Sequence, residues 1–264
     1  VALHWLAVGE EYMASPVLIN SLLSLTCGLF LYGFLRVYFK EGYTPILATI
    51  LFLAHPITYH MSRSFQPEML MLTLAIASLY FLATGSVFLS VLCCSCAVLA
   101  KMPIAFFVYP AIFGILWQQK ALRQLPYYAA SLIPTVIFLG VTNHLYGSME
   151  SRMNLPLKAG IFEVYGGLNS LHSTLNWHGL SPMLIVIALI GLAYTRFTPF
   201  VLAALGYAGF LWLMPFQALT HWYYYFKYLP AMALGLAYLL NYLIQKKSIA
   251  HLNAISAAII VCYG

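Results

Sequence analysis

The stretch Ser62-Arg63-Ser64-Phe65-Gln66-Pro67-Glu68 opens directly onto Met69-Leu70-Met71-Leu72-Thr73-Leu74-Ala75-Ile76-Ala77-Ser78-Leu79-Tyr80-Phe81-Leu82-Ala83, a run without a charged side chain. A polar segment holding one guanidinium and one carboxylate therefore abuts an apolar run of membrane-helix character. Pro67 suits the first turn of a helix, where its missing N–H is unpaired in any case. Glu68 falls where the helix dipole favours negative charge. Ionisable side chains at a bilayer edge are costly to keep, which marks Arg63 and Glu68 as candidate site residues. The plainer reading is a helix-start carboxylate beside an interfacial anchor arginine.

Outward from this stretch the same character persists. Of 264 residues, 63% are hydrophobic and 7% charged, whereas soluble domains carry about a quarter charged residues. Mean hydropathy is +0.88. The apolar runs are continuous rather than short and alternating, which excludes a β-barrel. The expected fold class is all-α, a polytopic transmembrane helical bundle forming a single domain over residues 1–264. Expected spans are 15–38, 44–60, 68–83, 86–100, 102–118, 127–143, 180–195, 198–216, 228–245 and 251–263. Several fall short of the ~20 residues of a perpendicular helix, and Gly85 and Lys101-Met102-Pro103 are the weakest boundaries. Pro56, Pro110 and Pro134 lie inside spans as expected kinks.

The net charge of +6 is too dispersed for a nucleic-acid surface, and matches loops that face lipid headgroups or phosphates. Cys93, Cys94 and Cys96 lie in an apolar run without His or acidic company, and are expected to be buried and inert. The chain starts at Val1 and its last apolar run stops at Tyr263-Gly264, so it reads as a piece cut at both ends.

Threading the spans alternately gives one face Arg36, Lys40, Lys120, Arg123, Arg196, Lys246 and Lys247, and the other Arg63, Lys101, Arg152, Lys158 and Lys227. The positive-inside rule assigns the first set to the cytoplasm. Glu10, Glu11, Arg63, Glu68, Lys101, the 144–179 loop and the His221–Lys227 cluster then share the external or lumenal face.

Thr220-His221-Trp222-Tyr223-Tyr224-Tyr225-Phe226-Lys227-Tyr228-Leu229-Pro230 is dense in aromatics ahead of a span. An aromatic belt accounts for the rings but not for the flanking His221 and Lys227, which suit a lipid phosphate at headgroup depth. Lys101 either snorkels to the interface or joins the same site. The 144–179 loop is polar, yet holds no spacing typical of a metal site or nucleophile, and the whole sequence lacks Asp.

Taken together, His55-Pro56, the Arg63-to-Glu68 segment, Leu99-Ala100-Lys101-Met102-Pro103 and Tyr223–Pro230 resemble the GT-C membrane glycosyltransferases. The similarity is to the protein O-mannosyltransferase and lipid A aminoarabinose transferase group, and runs over roughly Ser15 to Ile244. Met102 stands where that group usually has Gly. The group's catalytic Asp lies in a first external loop, and the first span here resembles the group's second, so the resemblance leaves the N-terminal span and that loop outside this chain.

The resemblance implies a glycosyltransferase moving a sugar from a polyprenyl-phosphate donor to a hydroxyl acceptor on a lipid, glycan or protein, at the external or lumenal face. It implies Glu68 and Arg63 as catalytic residues, and Arg63, Lys101, His221 and Lys227 as contacts to the donor phosphate. No cofactor is fixed by the sequence, a divalent metal has no ligand set in it, and membrane lipids rather than nucleic acid are the expected surroundings. A bacterial inner or plasma membrane is expected rather than the endoplasmic reticulum. The competing reading is a polytopic transporter or lipid flippase without glycosyl transfer, which predicts inverted repeats and mid-span charges; a purely structural subunit is the third.

Overall fold

The computed structural model describes residues 14–40, 42–64, 66–146, 182–213 and 222–245. These residues are helical without a strand among them. The helices are α1 (Ala14–Tyr38), α2 (Thr44–Ala54), α3 (Pro56–Ser62), α4 (Glu68–Ala83), α5 (Val87–Ala100) and α6 (Ala105–Gln118). They continue as α7 (Leu125–Ala130), α8 (Ile133–Tyr146), α9 (Pro182–Thr195), α10 (Thr198–Leu213) and α11 (Leu229–Gln245). Short 3-10 turns at Met102–Ile104, Leu122–Gln124 and Trp222–Tyr228 lead into α6, α7 and α11. Val17–Tyr38, Leu122–His144 and Tyr225–Gln245 are each long and apolar enough to cross a bilayer, and the remaining apolar helices are shorter. The protein is an all-α membrane protein.

Two expected spans are broken rather than kinked. Pro56 has no N–H to give and forces the residue before it out of the helical region. His55 accordingly adopts φ −66, ψ 135, and its Nδ1 accepts the Ile57 N–H at 3.2 Å. The 44–60 run thus becomes α2 and α3. The 127–143 run divides at Ser131-Leu132, so Pro134 stands at the start of α8 instead of inside a helix. Pro110 remains within α6. The boundaries at Gly85 and Lys101 hold: Gly85 closes α4 at φ 88, and Lys101 is extended at φ −162, ψ 108.

Contacts between helices fix the direction of each pass. The Thr73 hydroxyl donates to the Leu23 carbonyl at 3.0 Å, and further along both helices the Tyr80 ring meets Phe30 with centroids 5.6 Å apart, so α4 runs parallel to α1. Ser78 and Ser90 exchange hydroxyl-to-carbonyl bonds of 2.9 and 2.8 Å across the α4–α5 turn. Tyr128 donates to the Ser90 hydroxyl at 2.7 Å and docks α7 on the same pair. In an apolar setting these hydroxyls would otherwise be unsatisfied, so the network holds register as well as contact. At the same end of the bundle as the α4–α5 turn, the Tyr43 N–H donates to Asn241 Oδ1 at 3.1 Å, tying the start of α2 to the end of α11.

α4 sits at the centre. Glu68, Met69, Met71, Leu72, Ala75, Ile76, Ser78, Leu79 and Leu82 are all buried, as expected of a helix that is apolar around its whole circumference. Its first residue, Glu68, is therefore delivered to the interior at one end of the bundle. Of the cysteines in the 87–100 helix, Cys94 is buried, Cys93 half-buried and Cys96 exposed, so only the first follows the expectation.

Candidate functional site

Three charged side chains converge at that end, each from a break in the helical chain. Glu68 is the first residue of α4, after Pro67 at the N-cap. Lys101 lies in the extended step between α5 and α6: Pro103 cannot donate to the carbonyl a turn earlier, so the helix stops and the lysine side chain turns inward. Lys227 stands near the end of the 3-10 segment that leads into α11.

The Lys101 ammonium is ion-paired and hydrogen-bonded to Glu68 Oε1. Lys227 Nζ stands 3.9 Å from the same oxygen. The side chains of Glu68 and Lys227 have no exposure, and that of Lys101 keeps 21%. Glu68 Oε2 is buried and accepts no hydrogen bond among the described residues.

The charge balance decides what such a cluster can do. Two opposite charges about 4 Å apart attract by roughly 4 kcal/mol at an effective dielectric near 20. Removing each ion from water costs several kcal/mol. Glu68 Oε1 offsets part of that cost for both ammonium groups, at contact with Lys101 and at 3.9 Å from Lys227. Two lysines thus share one buried carboxylate, and the Lys101 side chain alone of the three keeps some exposure.

Arg63 is not part of this cluster. It caps α3 on the exposed side, where its guanidinium lies 5.3 Å from the Tyr59 ring centre and donates to the Tyr59 hydroxyl. The segment around it is held to α1, with Asn20 Nδ2 donating to the Ser64 carbonyl and Ser21 Oγ to the Ser62 carbonyl at 3.5 Å. Of the two candidate residues in this stretch, Glu68 pairs with Lys101 and Lys227 from other parts of the chain, and Arg63 with Tyr59 on its own helix. His221, Glu10, Glu11 and the 147–179 part of the long loop lie outside the described residues.

Beside the cluster is an apolar cavity of about 320 Å³ between α9 and α10. Leu189, Val201 and Leu205 contribute to its walls, and Tyr225 and Tyr228 bound it on either side of Lys227 in the chain. The same short segment therefore presents an ammonium to the polar cluster and aromatic rings to an apolar hollow. Aromatic crowding before α11 signalled this segment in the sequence, but nothing there signalled the hollow, which is made by α9 and α10. Among the described residues no group of His, Cys or acidic side chains is placed to hold a metal ion.

No curated protein and no solved structure matches the chain. Residues 5–144 match the family described as dolichyl-phosphate-mannose-protein mannosyltransferase. The matched region contains Glu68 and Lys101, while Lys227 lies beyond it. A match over more than half of the 264 residues, on an all-helical membrane bundle, identifies the chain as a member of the dolichyl-phosphate-mannose-protein mannosyltransferase family, within the GT-C superfamily of membrane glycosyltransferases.

Proposed function

We propose that this chain holds the phosphate of a polyprenyl-phosphate sugar donor during transfer of the sugar to a hydroxyl acceptor, at the external or lumenal face. The observation that carries the reading is the gathering of two lysines, Lys101 and Lys227, about the buried carboxylate of Glu68, with the Tyr225–Tyr228 segment that holds Lys227 also bounding an apolar cavity. A lipid-linked sugar phosphate has those two characters, an anion joined to an apolar chain.

As the glycosidic bond breaks, negative charge grows on the departing lipid phosphate. Ammonium groups already in place stabilise that charge without reorganising, and more strongly where water is excluded. Lys101, partly accessible, meets the phosphate. Lys227 reinforces the field from behind it. Glu68 is enclosed and engaged by Lys101, so its part is to position the two lysines rather than to take a proton from the acceptor. Arg63, exposed on α3, meets the sugar phosphate or the acceptor at the outer rim, and His221 is a further phosphate contact.

The test is a transfer assay in membranes containing the active protein, with radiolabelled polyprenyl-phosphate mannose and, separately, a nucleotide sugar. Transfer from the lipid-linked donor alone is expected. Use of the nucleotide sugar, or movement of the lipid-linked sugar across the membrane without transfer, would overturn the proposal.

A further inference from the structure

The end of the bundle opposite Glu68 carries Arg36, Lys40, Lys120, Arg123 and Arg196, all exposed. Packing gathers them. The Tyr38 and Phe39 rings meet Phe197 with centroids 4.8 and 5.5 Å apart, which brings the end of α1 to the α9–α10 turn beside Arg196. A Cβ on Gly114 would lie 2.8 Å from Pro199 Cα, so the end of α6 with Lys120 abuts the same turn.

Two of these cations are held in a backbone conformation that argues for the charge itself. α6 ends with the Lys120 N–H donating to Trp117 O at 3.2 Å and the Ala121 N–H to Leu116 O at 2.8 Å. This paired closure places Lys120 at φ 54, where glycine is favoured because a Cβ costs roughly 1 kcal/mol. α4 closes by the same pattern with an ordinary glycine, Gly85. The turn after α9 puts Arg196 at φ 52. Among the described residues Lys120 and Arg196 are the non-glycine residues with positive φ, and both are cations at this end.

Exposed rings accompany them: Trp117 (59% exposed) one turn before Lys120, and Tyr194 (69%) two residues before Arg196. Indole and phenol rings settle where hydrocarbon meets headgroups. The cations beside them therefore stand at the depth of lipid phosphates. The carboxylate among the described residues, Glu68, is at the opposite end; Glu41, next to Lys40 in sequence, offsets one charge of the five.

We propose that Lys120 and Arg196, with Arg36, Lys40 and Arg123, form a docking surface for anionic phospholipid headgroups. The ammonium and guanidinium groups donate to phosphodiester oxygens. Each cation near an anionic surface strengthens attachment about 5-fold.

The full chain is placed in mixed phosphatidylcholine and phosphatidylglycerol nanodiscs, extracted in mild detergent, and its retained lipids are counted by mass spectrometry. The informative variant is Lys120→Gly with Arg196→Gly, because glycine relieves both strained positions and the protein should melt no lower than the wild type. Enrichment of phosphatidylglycerol by the wild type is expected, falling about 5-fold per charge removed in the glycine variant. Lys120→Arg with Arg196→Lys should keep the enrichment. Equal retention of both lipids by the wild type, undiminished enrichment in the glycine variant, or loss of enrichment in the charge-keeping variant would each overturn the proposal.

Discussion

Lys227 Nζ lies 3.9 Å from Glu68 Oε1, and neither side chain touches solvent. The two residues are 159 positions apart in sequence (227 − 68), and they meet because α4 starts and α11 starts at the same end of the bundle. With Lys101 on the same oxygen, the carboxylate links three breaks in the helical chain. Its loss should therefore be felt in stability before it is felt in chemistry.

Glu68→Gln leaves the ammonium groups of Lys101 and buried Lys227 facing each other without the carboxylate they share. Breaking a buried ion pair from one side costs about 3–5 kcal/mol. Adding Lys227→Met removes one of the stranded charges and should recover at least ~1 kcal/mol of that loss. Melting of the single and double variants in detergent measures the coupling. Strictly additive destabilisation would mean that Glu68 and Lys227 do not interact.

Lys101→Gln should slow sugar transfer from a polyprenyl-phosphate donor at least ~10-fold, equivalent to about 1.4 kcal/mol at the transition state. Arg63→Lys should cost less than Lys101→Gln, because Arg63 stands on Tyr59 outside the cluster. Arg63→Lys keeps the charge at the rim and loses the planar fork of the guanidinium. Both variants should accumulate in the membrane at wild-type levels, and kinetic constants per folded molecule settle the ranking. A larger loss from Arg63→Lys would move the centre of the site to the rim.

Helices follow from the apolar runs, and the breaks at Gly85 and Lys101 follow from local backbone chemistry, so both were legible. The division of the 44–60 run at His55-Pro56 was also local, yet proline in membrane helices is often absorbed as a kink, as Pro110 is here. The gathering of Glu68, Lys101 and Lys227 at one end followed from counting passes. Their pairing did not. Arg63 is five residues from Glu68 but one helical turn from Tyr59, and that neighbour on its own helix engages it. Glu68 instead faces partners from α5–α6 and from the approach to α11, which only packing around α4 brings near. The cavity was invisible for the same reason, being a shape left between two helices.

The alternation of passes makes a topological prediction. Single cysteines at Ser64 and Gln119, in a background with the native cysteines replaced, should label with a membrane-impermeant maleimide from opposite sides. Ser64 lies by the cluster, and Gln119 by the basic end next to Lys120. The positive-inside rule makes Ser64 the one reached from outside intact cells or from the lumen. Labelling of both from one side would break the alternation itself, whereas a clean reversal would place the cluster in the cytoplasm.

The approach of α9 to α11 gives the most demanding prediction. Gly191 and Gly235 lie at this crossing, where a Cβ on Gly235 would overlap the Ala188 carbonyl oxygen and one on Gly191 the Gly235 carbonyl oxygen. Small residues let membrane helices pack at backbone contact, and here the obstruction is backbone, which cannot rotate away as a side chain can. Gly235→Leu must push the helices apart, at a cost of at least ~2 kcal/mol from overpacking. It should also shift the wall that Leu189 and Leu192 give to the apolar cavity, and with it the segment that carries Lys227. The expected result is a lowered melting temperature together with reduced transfer per folded molecule. Gly209→Leu is the matched control, because a Cβ at Gly209 meets nothing within 4 Å. It should melt as the wild type does. Equal effects at Gly235 and Gly209 would mean that bulk alone is responsible, and that the close crossing does not support the site.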